Sequence, residues 1–423
     1  MRNYGWIERF LHPARGFAVF WWTLALVYGI VPAYIYYYVA PNDYFLQLSI
    51  LTGLTLFGLL VGARISLFDR RFSANTRRIG IDLNVFQTII WGGFILFIAI
   101  TLVTAPSIPI LSALKGASAN DLSQERGEFL KNRAGAEVIL LYASTILVNT
   151  FLPYSTVLLY ATKSRLRFLC TGIFFLFCIS FLQKALFLNL ALPLLVFFAI
   201  DRKLPTRQAM LWAVSLIGLL IIGTYLSSGD GGVDSKYSGG TIADYLSSTY
   251  VPDNPLDHLI WRSFAVPVFT ASDMLLVHAE YFGGYLLNGA TSTLLSALFD
   301  LERVNIERYV FEYQFGGWNE IANANAVFIV DAYVNFGYLG VVSFALIVGQ
   351  IFRWFRLSSD VAFRSLWPLF AFVLFSASLI GMLFSNGFIY MIFHALMIKI
   401  KSGSDKGLLF IDKRNEIRFP KFG

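Results

Sequence analysis

The sequence contains little of what builds a metal site, a disulfide framework or a soluble surface. Two of its 423 residues are cysteine and four are histidine. Cys170 and Cys178 lie in the same apolar run, which indicates neither a disulfide framework nor a metal site. Charged residues make up 14% of the chain, against about 25% in a typical soluble protein. The sequence also lacks a P-loop and a dinucleotide-binding glycine motif, so we expect no ATP or NAD chemistry, no metal and no cofactor.

Long apolar runs take the place of the missing charge, since 57% of the residues are hydrophobic. A membrane-spanning helix needs about 20 apolar residues. Backbone groups in lipid must bond within their own segment, and the alternation typical of barrel strands is absent. The predicted fold class is therefore an all-α, polytopic transmembrane bundle. Ten spans are predicted, at about 16–40, 44–65, 86–105, 136–161, 168–183, 185–200, 209–227, 337–352, 365–384 and 387–398.

Two of the apolar tracts are too long for a single crossing. Residues 168–200 and 365–398 would each form a helix of roughly 50 Å, whereas the hydrocarbon core is about 30 Å thick. Lys184 interrupts the first tract, and Ser385-Asn386-Gly387 interrupts the second. Each tract is therefore predicted to be two short spans joined by a tight turn, or a re-entrant pair.

The distribution of basic residues predicts the orientation. Lysine and arginine favour cytoplasmic loops, and with ten spans most of the 33 lysines and arginines fall on one side. Both termini are then cytoplasmic, with a basic tail at 399–423. No small-residue cleavage site follows the first apolar run, which is expected to stay as a signal anchor. Two long segments face outside, 106–135 and 228–336, and the apolar tract 259–299 is expected to lie along the membrane surface.

A large outer loop indicates a function at the outer face. A few basic residues are predicted to lie on that side, although lysine and arginine favour the cytoplasmic side. Arg126 and Arg133 are seven positions apart, on one face of a helix, and either bind an anion or pair with local glutamates. Lys184 in its apolar tract is a functional-site hypothesis, the alternative being a lysine that snorkels to the surface. Arg262 has few polar neighbours in sequence and is expected to face a site or the lipid headgroups. Arg303 is expected to pair with nearby acids.

The segment before the eighth predicted span is unusually polar. It carries Asn323, Asn325, Asp331 and Tyr333, and amides and carboxylates beside tyrosine are groups that bind sugar hydroxyls. Asp331 at the membrane edge is a candidate general base. The alternative is helix capping and water-exposed polarity. Tyr281 is one of several outer aromatics that would stack on sugar rings or form the interfacial aromatic belt.

Two stretches of the outer loop resemble a known family. They are Arg262-x-Phe264…Pro267 with Glu280-Tyr281-Phe282, and Asn323-x-Asn325…Asp331-x-Tyr333-x-Asn335-Phe336-Gly337-x-x-Gly340. Together with the many-span topology and the late outer loop, they resemble the bacterial oligosaccharide repeat-unit polymerases, the O-antigen polymerase (Wzy) family. The resemblance implies a glycosyltransferase that joins undecaprenyl-pyrophosphate-linked repeat units into a lipopolysaccharide or related surface polysaccharide at the periplasmic face of the inner membrane.

The resemblance also implies roles for particular residues. Cations at the outer membrane edge would bind the pyrophosphate and stabilise its departing charge, and a carboxylate or histidine would deprotonate the acceptor hydroxyl. The expected base is Asp331, then Glu280, then His278. The expected substrate-binding residues are Arg262, Arg126, Arg133 and Lys184 for pyrophosphate, and Asn323, Asn325, Tyr333 and Tyr281 for sugar.

The expected partners are the lipid bilayer, the lipid-linked oligosaccharide and a chain-length-regulating co-polymerase, with no nucleic acid. Three other functions stay open at this point. An O-antigen ligase would carry a catalytic histidine in the outer loop, and His258 and His278 leave that open. A transporter or lipid-linked oligosaccharide flippase would show repeats and charges within several spans, whereas most spans here are free of charge. A non-enzymatic scaffold of the cell envelope is the third.

Overall fold

The computed structural model describes most of the chain. It covers residues 10–72, 78–117, 119–131, 133, 135–180, 185–201, 214, 218, 242–248, 250, 252, 254–317, 324 and 327–401. The main elements are α1 Pro13–Tyr38, α2 Asp43–Arg64, β1 Ile79–Asp82, α3 Leu83–Thr104, α4 Val138–Ala161, α5 Arg167–Ser180, α6 Ala185–Asp201, α7 Pro255–Tyr281, α8 Ile306–Phe315, α9 Phe328–Leu357, α10 Trp367–Leu374, α11 Phe388–Met397 and β2 Ile398–Lys401. Short helical segments lie at Asp69–Phe72, Pro109–Leu114, Ala119–Arg126, Gly127–Lys131, Gly135–Glu137, Ile242–Tyr245, Thr293–Leu298, Val361–Ser365 and Gly381–Ser385.

The described chain is helical apart from one two-stranded sheet, which confirms an all-α membrane-type fold. Six described helices, α1, α2, α3, α4, α7 and α9, are long and apolar enough to cross a membrane. The sequence places 259–299 along the membrane surface, whereas α7 has the length and composition of a crossing helix. The predicted span 209–227 lies outside the described residues except for Val214 and Gly218. The count of ten spans and the extent of the outer loop therefore remain predictions.

Both long apolar tracts are broken, as their length required. The first contains α5 and α6, and the rings of Phe175 and Phe187 lie 5.3 Å apart although twelve positions would span about 18 Å along a continuous helix. Lys184 lies outside the described residues. The second is interrupted twice, at 375–378 and at Gly387, whose φ of 79° is a backbone conformation that favours glycine. Three asparagine side chains meet at the second interruption, because Asn149 donates to Asn386 at 2.9 Å and Asn189 donates to Asn149 at 2.6 Å.

The ends of several helices gather at one side of the bundle. The strand before α3 pairs in parallel with the strand after α11, with Ile79 opposite Ile398 and Asp82 opposite Lys401. Near the end of α9, Arg353 forms an ion pair with Asp69 at 2.5 Å. This basic side of the molecule is the one that the charge pattern predicts to be cytoplasmic. The opposite side, where α2 begins, is the one predicted to face outside, and we refer to it as the outer end.

Helices α2 and α9 pack main chain against main chain along a row of small residues. Gly58 and Gly62 of α2 face Gly349 and its neighbours on α9. A Cβ at Gly62 would overlap the carbonyl oxygen of Leu346, and one at Gly349 would overlap the carbonyl oxygen of Leu59. Small residues four positions apart let two helix backbones approach this closely in a membrane. The pairing fixes α9, and α9 carries the residues of the candidate site.

Helix α9 is a hairpin of two arms. Gly337 has φ 63° and ψ −157°, a conformation outside the helical range. Phe336 and Phe344 are eight positions apart, which is about 12 Å along a continuous helix, yet their ring centroids lie 5.9 Å apart. A Cβ on Gly340 would lie 2.6 Å from the carbonyl oxygen of Ala332. The first arm, 328–336, therefore folds back beside the second arm, 338–357.

The sequence places Asp331 at the membrane edge, just before a span. In the structure, Asp331 lies in the first arm, which packs among the helices of the bundle. The ring of Phe20 in α1 contacts both Phe328 at the start of this arm and Phe352 far along the second arm, at 6.5 and 4.8 Å. Irregular backbone of this kind is tolerated at membrane depth only where protein surrounds it.

Candidate functional site

The first arm of α9 is held at its outer end by the segment that follows α7. Main-chain N–H groups of Leu287 and Asn288 donate to the carbonyl oxygens of Val334 and Asn335, at 3.0 and 2.9 Å. These are among the last carbonyls of the arm, which would otherwise lack a partner because the helix ends at Gly337. The segment after α7 thus caps the arm and brings Thr291 beside it.

The carboxylate of Asp331 is oriented by two neighbours. Thr291 donates its hydroxyl to Asp331 Oδ1 at 3.0 Å. The buried amide of Asn335 donates to Thr291 Oγ1 at 2.7 Å and lies 3.2 Å from Asp331 Oδ1, while its oxygen accepts from Gly289 N–H at 3.0 Å. Within the described part of the chain, Asp331 Oδ2 accepts no hydrogen bond. One carboxylate oxygen is fixed and the other is open to a ligand.

Asp331 faces a cavity of about 110 Å³. Residues from five regions of the chain surround it, namely Met274, Thr291, Arg303, Val304, Asn305, Ile306, Glu307, Asp331 and Ser378. The lining is mostly polar, and it includes both a basic residue, Arg303, and the acidic residue Asp331. Pockets that enclose a drug-sized ligand measure roughly 300–1,000 Å³. A cavity of this size therefore takes the reacting groups of a larger molecule.

Each lining region has a local reason for its position. Val304 N–H donates to the carbonyl oxygen of Ala290 at 3.0 Å, which ties the segment before α8 to the Thr291 segment. Glu307 lies in the first turn of α8. Ser378 lies where the second long tract is interrupted, and its Oγ accepts from Gly381 N–H at 3.0 Å. The site is thus assembled from helix ends and breaks.

Arg133, expected to bind pyrophosphate, is committed to partners inside the protein. Its guanidinium donates to the carbonyl oxygens of Phe129 at 2.8 Å and Thr101 at 3.1 Å, to Thr104 Oγ1, and to Glu137 Oε2 at 2.9 Å. Its side chain is 3% exposed. Local pairing with a glutamate, the alternative from the sequence, is what the structure has. Arg133 joins the end of α3 to the start of α4.

Two further arginines lie away from the cavity. Arg126 donates its Nε to the carbonyl oxygen of Leu122 at 3.0 Å, and burial lowers the pKa of its guanidinium. Neither Arg126 nor Arg262 lines the cavity. Arg262 is exposed on α7, twelve positions before Met274, which is about 18 Å along a helix.

The two other expected bases differ in how they are placed. His278 is buried, and its Nε2 lies 2.9 Å from the carbonyl oxygen of Tyr285. That contact requires Nε2 to carry the proton, so this nitrogen cannot also accept one. Glu280 and Tyr281 are exposed at the end of α7, and the Tyr281 ring lies 6.2 Å from Tyr309.

The remaining expected sugar-binding residues are divided between described and undescribed parts of the chain. Tyr333 follows Asp331 by two positions, and its ring lies 5.3 Å from Tyr338 and 6.2 Å from His278. Asn323 and Asn325 lie outside the described residues, as does Lys184.

Sequence reasoning missed most of the cavity lining. Arg303 was expected to pair with nearby acids and instead lines the cavity together with Glu307. The dense polar run Glu302-Arg303-x-Asn305-x-Glu307 before α8 is a signal that could have found both. Thr291 and Ser378 carry no such signal, because only the folded chain brings them to Asp331.

Comparison with protein-family models, with curated proteins and with solved structures finds no match to this chain. Among the described residues, no three His, Cys, Asp or Glu side chains are grouped as ligands of a metal ion would be. The chemistry of the site therefore has to be argued from its own residues. Those residues are a carboxylate with one open oxygen, a second carboxylate, a guanidinium and several hydroxyl and amide groups, gathered around one small cavity.

Proposed function

We propose that the protein is a membrane glycosyltransferase that polymerises undecaprenyl-pyrophosphate-linked oligosaccharide repeat units at the periplasmic face of the bacterial inner membrane. The observation that carries the proposal is the shared cavity of Asp331 and Arg303, next to a helix break inside an apolar bundle. An ionisable residue among membrane-type helices is a functional-site hypothesis by default. A carboxylate and a cation are the two groups that this transfer requires.

The reaction would proceed by displacement of the lipid pyrophosphate. The acceptor hydroxyl oxygen attacks the anomeric carbon of the donor sugar and forms the new glycosidic bond. The bond between the anomeric carbon and the phosphate oxygen breaks, and the pyrophosphate leaves with its electron pair. Asp331 takes the acceptor proton, and Arg303 stabilises the charge on the departing phosphate. The lipid tail stays in the bilayer throughout, which suits a site formed at the outer end of apolar helices.

Asp331 suits the role of base better than the alternatives. Thr291 and Asn335 bond to one of its oxygens, the other accepts no hydrogen bond from the described residues, and Asp331 lines the cavity. Glu280 does not line the cavity, and the Nε2 of His278 is engaged with a carbonyl. Glu307 lines the same cavity, so it is the second candidate for the base.

The test is deletion of the gene in its host, followed by complementation and electrophoresis of the surface polysaccharide. We expect deletion to replace the polymer ladder with a single capped repeat unit, and the wild-type gene to restore the ladder. Asp331→Asn and Arg303→Gln should fail to restore it while the proteins accumulate in the membrane. Arg126→Gln, outside the cavity lining, is the matched control and should restore it.

Other outcomes would contradict the proposal in distinguishable ways. Long chains that accumulate on undecaprenyl pyrophosphate, with none on the final acceptor, would identify a ligase. Lipid-linked repeat units trapped on the cytoplasmic side would identify a flippase. An unchanged ladder would exclude all three, and a ladder restored by Asp331→Asn would remove Asp331 from the chemistry.

A further inference from the structure

A second polar group lies beside the cavity, between α7 and α8. Asp273 immediately precedes the lining residue Met274, and its Oδ2 accepts a hydrogen bond from Gln314 Nε2 at 2.7 Å. The same nitrogen lies 3.3 Å from Thr270 Oγ1. Asp273 is half-buried on a helix that is apolar enough to cross a membrane. Burying a carboxylate among membrane-type helices costs free energy, so such a residue marks a candidate functional site. Gln314 is its hydrogen-bond partner.

Helix α8 connects this polar group to the cavity. Its first turn supplies Ile306 and Glu307 to the cavity lining, and Gln314 lies two turns further along. The helix runs antiparallel to α7, since Tyr309 packs against Phe282 at 5.3 Å while Gln314 reaches back to Asp273. A molecule that leaves the cavity along α8 therefore meets Asp273 and Gln314.

Aromatic rings border the same path. Tyr313 is 44% exposed and Tyr281 is 53% exposed. Burial and the charges of Asp273 and Glu280 raise the pKa of the Tyr313 hydroxyl, so this hydroxyl lies within the field of both carboxylates. We define the α7–α8 seam as Asp273, Glu280, Tyr281, Tyr313 and Gln314.

The hydrogen-bonding capacity of the seam is largely unused. Asp273 accepts one hydrogen bond in the described part of the chain, from Gln314, whereas an ionised carboxylate has about four acceptor positions. Gln314 uses its amide nitrogen there, and its side-chain oxygen accepts no hydrogen bond from the described residues. Open acceptors beside exposed tyrosine rings bind hydroxyl groups and the apolar face of a sugar ring.

We propose that the α7–α8 seam is the subsite for the acceptor saccharide, in which Asp273 and Gln314 bind sugar hydroxyls and Tyr313 packs against a ring. This inference rests on the proposed function, because the cavity of about 110 Å³ leaves most of a repeat unit to be bound outside it. The seam then determines which saccharide is accepted, and the cavity carries the transfer. Asp273 acts as a binding residue and takes no part in proton transfer.

The test is direct binding of a saccharide to the purified full-length protein in lipid nanodiscs. The probe is the single repeat-unit oligosaccharide, released from the lipid anchor by mild acid, and its dissociation constant is measured by calorimetry. We expect Asp273→Asn, which keeps the side-chain volume, and Gln314→Leu to weaken binding at least tenfold. Asp300→Asn removes an exposed carboxylate at a left-handed position that asparagine tolerates, and should bind like the wild type. Each variant is compared with the wild type by size exclusion and thermal unfolding.

The outcomes separate this inference from the proposed function. Unchanged affinity in folded Asp273→Asn would overturn the seam as a subsite. If deletion of the gene abolishes the ladder but the wild-type protein does not bind the oligosaccharide, the polymerase stands and the seam inference fails. If deletion leaves the ladder intact, the proposed function and the inference that depends on it both fail. Weak binding by Asp273→Asn with normal binding by Asp331→Asn would support the division of roles.

Discussion

The contact between α2 and α9 predicts a sharp difference between two glycines of the same helix. Gly62 lies against the main chain of α9, where a Cβ would overlap the carbonyl oxygen of Leu346. Gly53 lies nine positions earlier and has no atom within 4 Å of the place that a Cβ would occupy. Changing each to alanine adds the same methyl group to the same helix. Only the change at Gly62 must separate two backbones.

The two substitutions to alanine are expected to change the stability of the protein in opposite directions. Alanine stabilises a helix interior by about 1 kcal/mol relative to glycine, so Gly53→Ala should be neutral or slightly stabilising. Overpacking a close contact costs typically about 1–3 kcal/mol, and a carbonyl of the main chain cannot rotate away as a side chain can. Gly62→Ala should therefore lose stability, and Gly62→Val, which adds two further methyl groups, should lose more.

The protein contains its own reporter for this measurement. Cys170 and Cys178 are its two cysteines and both are buried, so a thiol-reactive fluorophore labels them only as the protein unfolds. The unfolding entropy expected for a chain of this length makes 1 kcal/mol correspond to about 1 °C in the midpoint. We expect a decrease of about 1–3 °C for Gly62→Ala, a larger one for Gly62→Val and no decrease for Gly53→Ala. Equal midpoints for Gly53→Ala and Gly62→Val would refute the close packing of α2 on α9.

Two further predictions concern residues outside the cavity. Arg133→Met should lower the unfolding midpoint, because it leaves the carbonyls of Phe129 and Thr101 without a donor, and each such buried acceptor costs about 1–3 kcal/mol. The variant should still restore the polymer ladder. A folded Arg133→Met protein that restores no ladder would instead support a role for Arg133 in binding pyrophosphate. His12 accepts a hydrogen bond from Ala14 N–H at the start of α1, and burial, then the charges of Arg364 and Arg15, lower its pKa to about 4. Since the unfolded pKa is about 6.5, the unfolded state binds more protons between these values, and the stability that His12 contributes is complete above pH 6.5 and is lost as the pH falls towards 4. His12→Asn keeps a cap that does not titrate, so the unfolding midpoint should depend less on pH in that window than in the wild type, and identical slopes would contradict the assignment.

Much of the architecture follows from composition and the lengths of apolar runs. Membrane-type helices follow from the low charge, and the breaks in 168–200 and 365–398 follow from the mismatch between helix length and bilayer thickness. Gly337 was expected at the start of a span, and the structure has its break there. The fold-back of the first arm was not predictable, because the sequence placed residues 328–336 in the outer loop and no local pattern fixes the direction in which that segment approaches Gly337.

The candidate site was predictable only at its centre. Asp331 stands out as a carboxylate in a polar segment just before a predicted span, which is a local property of the sequence. Its neighbours Thr291, Arg303 and Ser378 come from segments up to 87 positions apart, and no local pattern connects them. Arg133 was expected at the site and lies instead between α3 and α4. The sequence could not distinguish the two, because a basic residue in an outer loop looks the same whether it binds a ligand or joins two helices.

The helix interruptions at Gly337 and at 375–378 adjoin the polar cavity. Main-chain groups at a helix break must find partners within the protein. At Gly387, Thr150 supplies one, since its Oγ1 donates to the main-chain carbonyl of Asn386 at 2.5 Å, while Asn149 donates to the Asn386 side chain. At Gly337 the N–H groups of the segment after α7 do the same for the first arm of α9. Main-chain carbonyls at both breaks thus have partners within the protein, and Ser378, in the interruption at 375–378, lines the cavity. The break at Gly337 and the interruption at 375–378 thus accompany Asp331 and Ser378 at the cavity that Arg303 also lines, so the polar residues of the cavity come from places where helices are interrupted or begin.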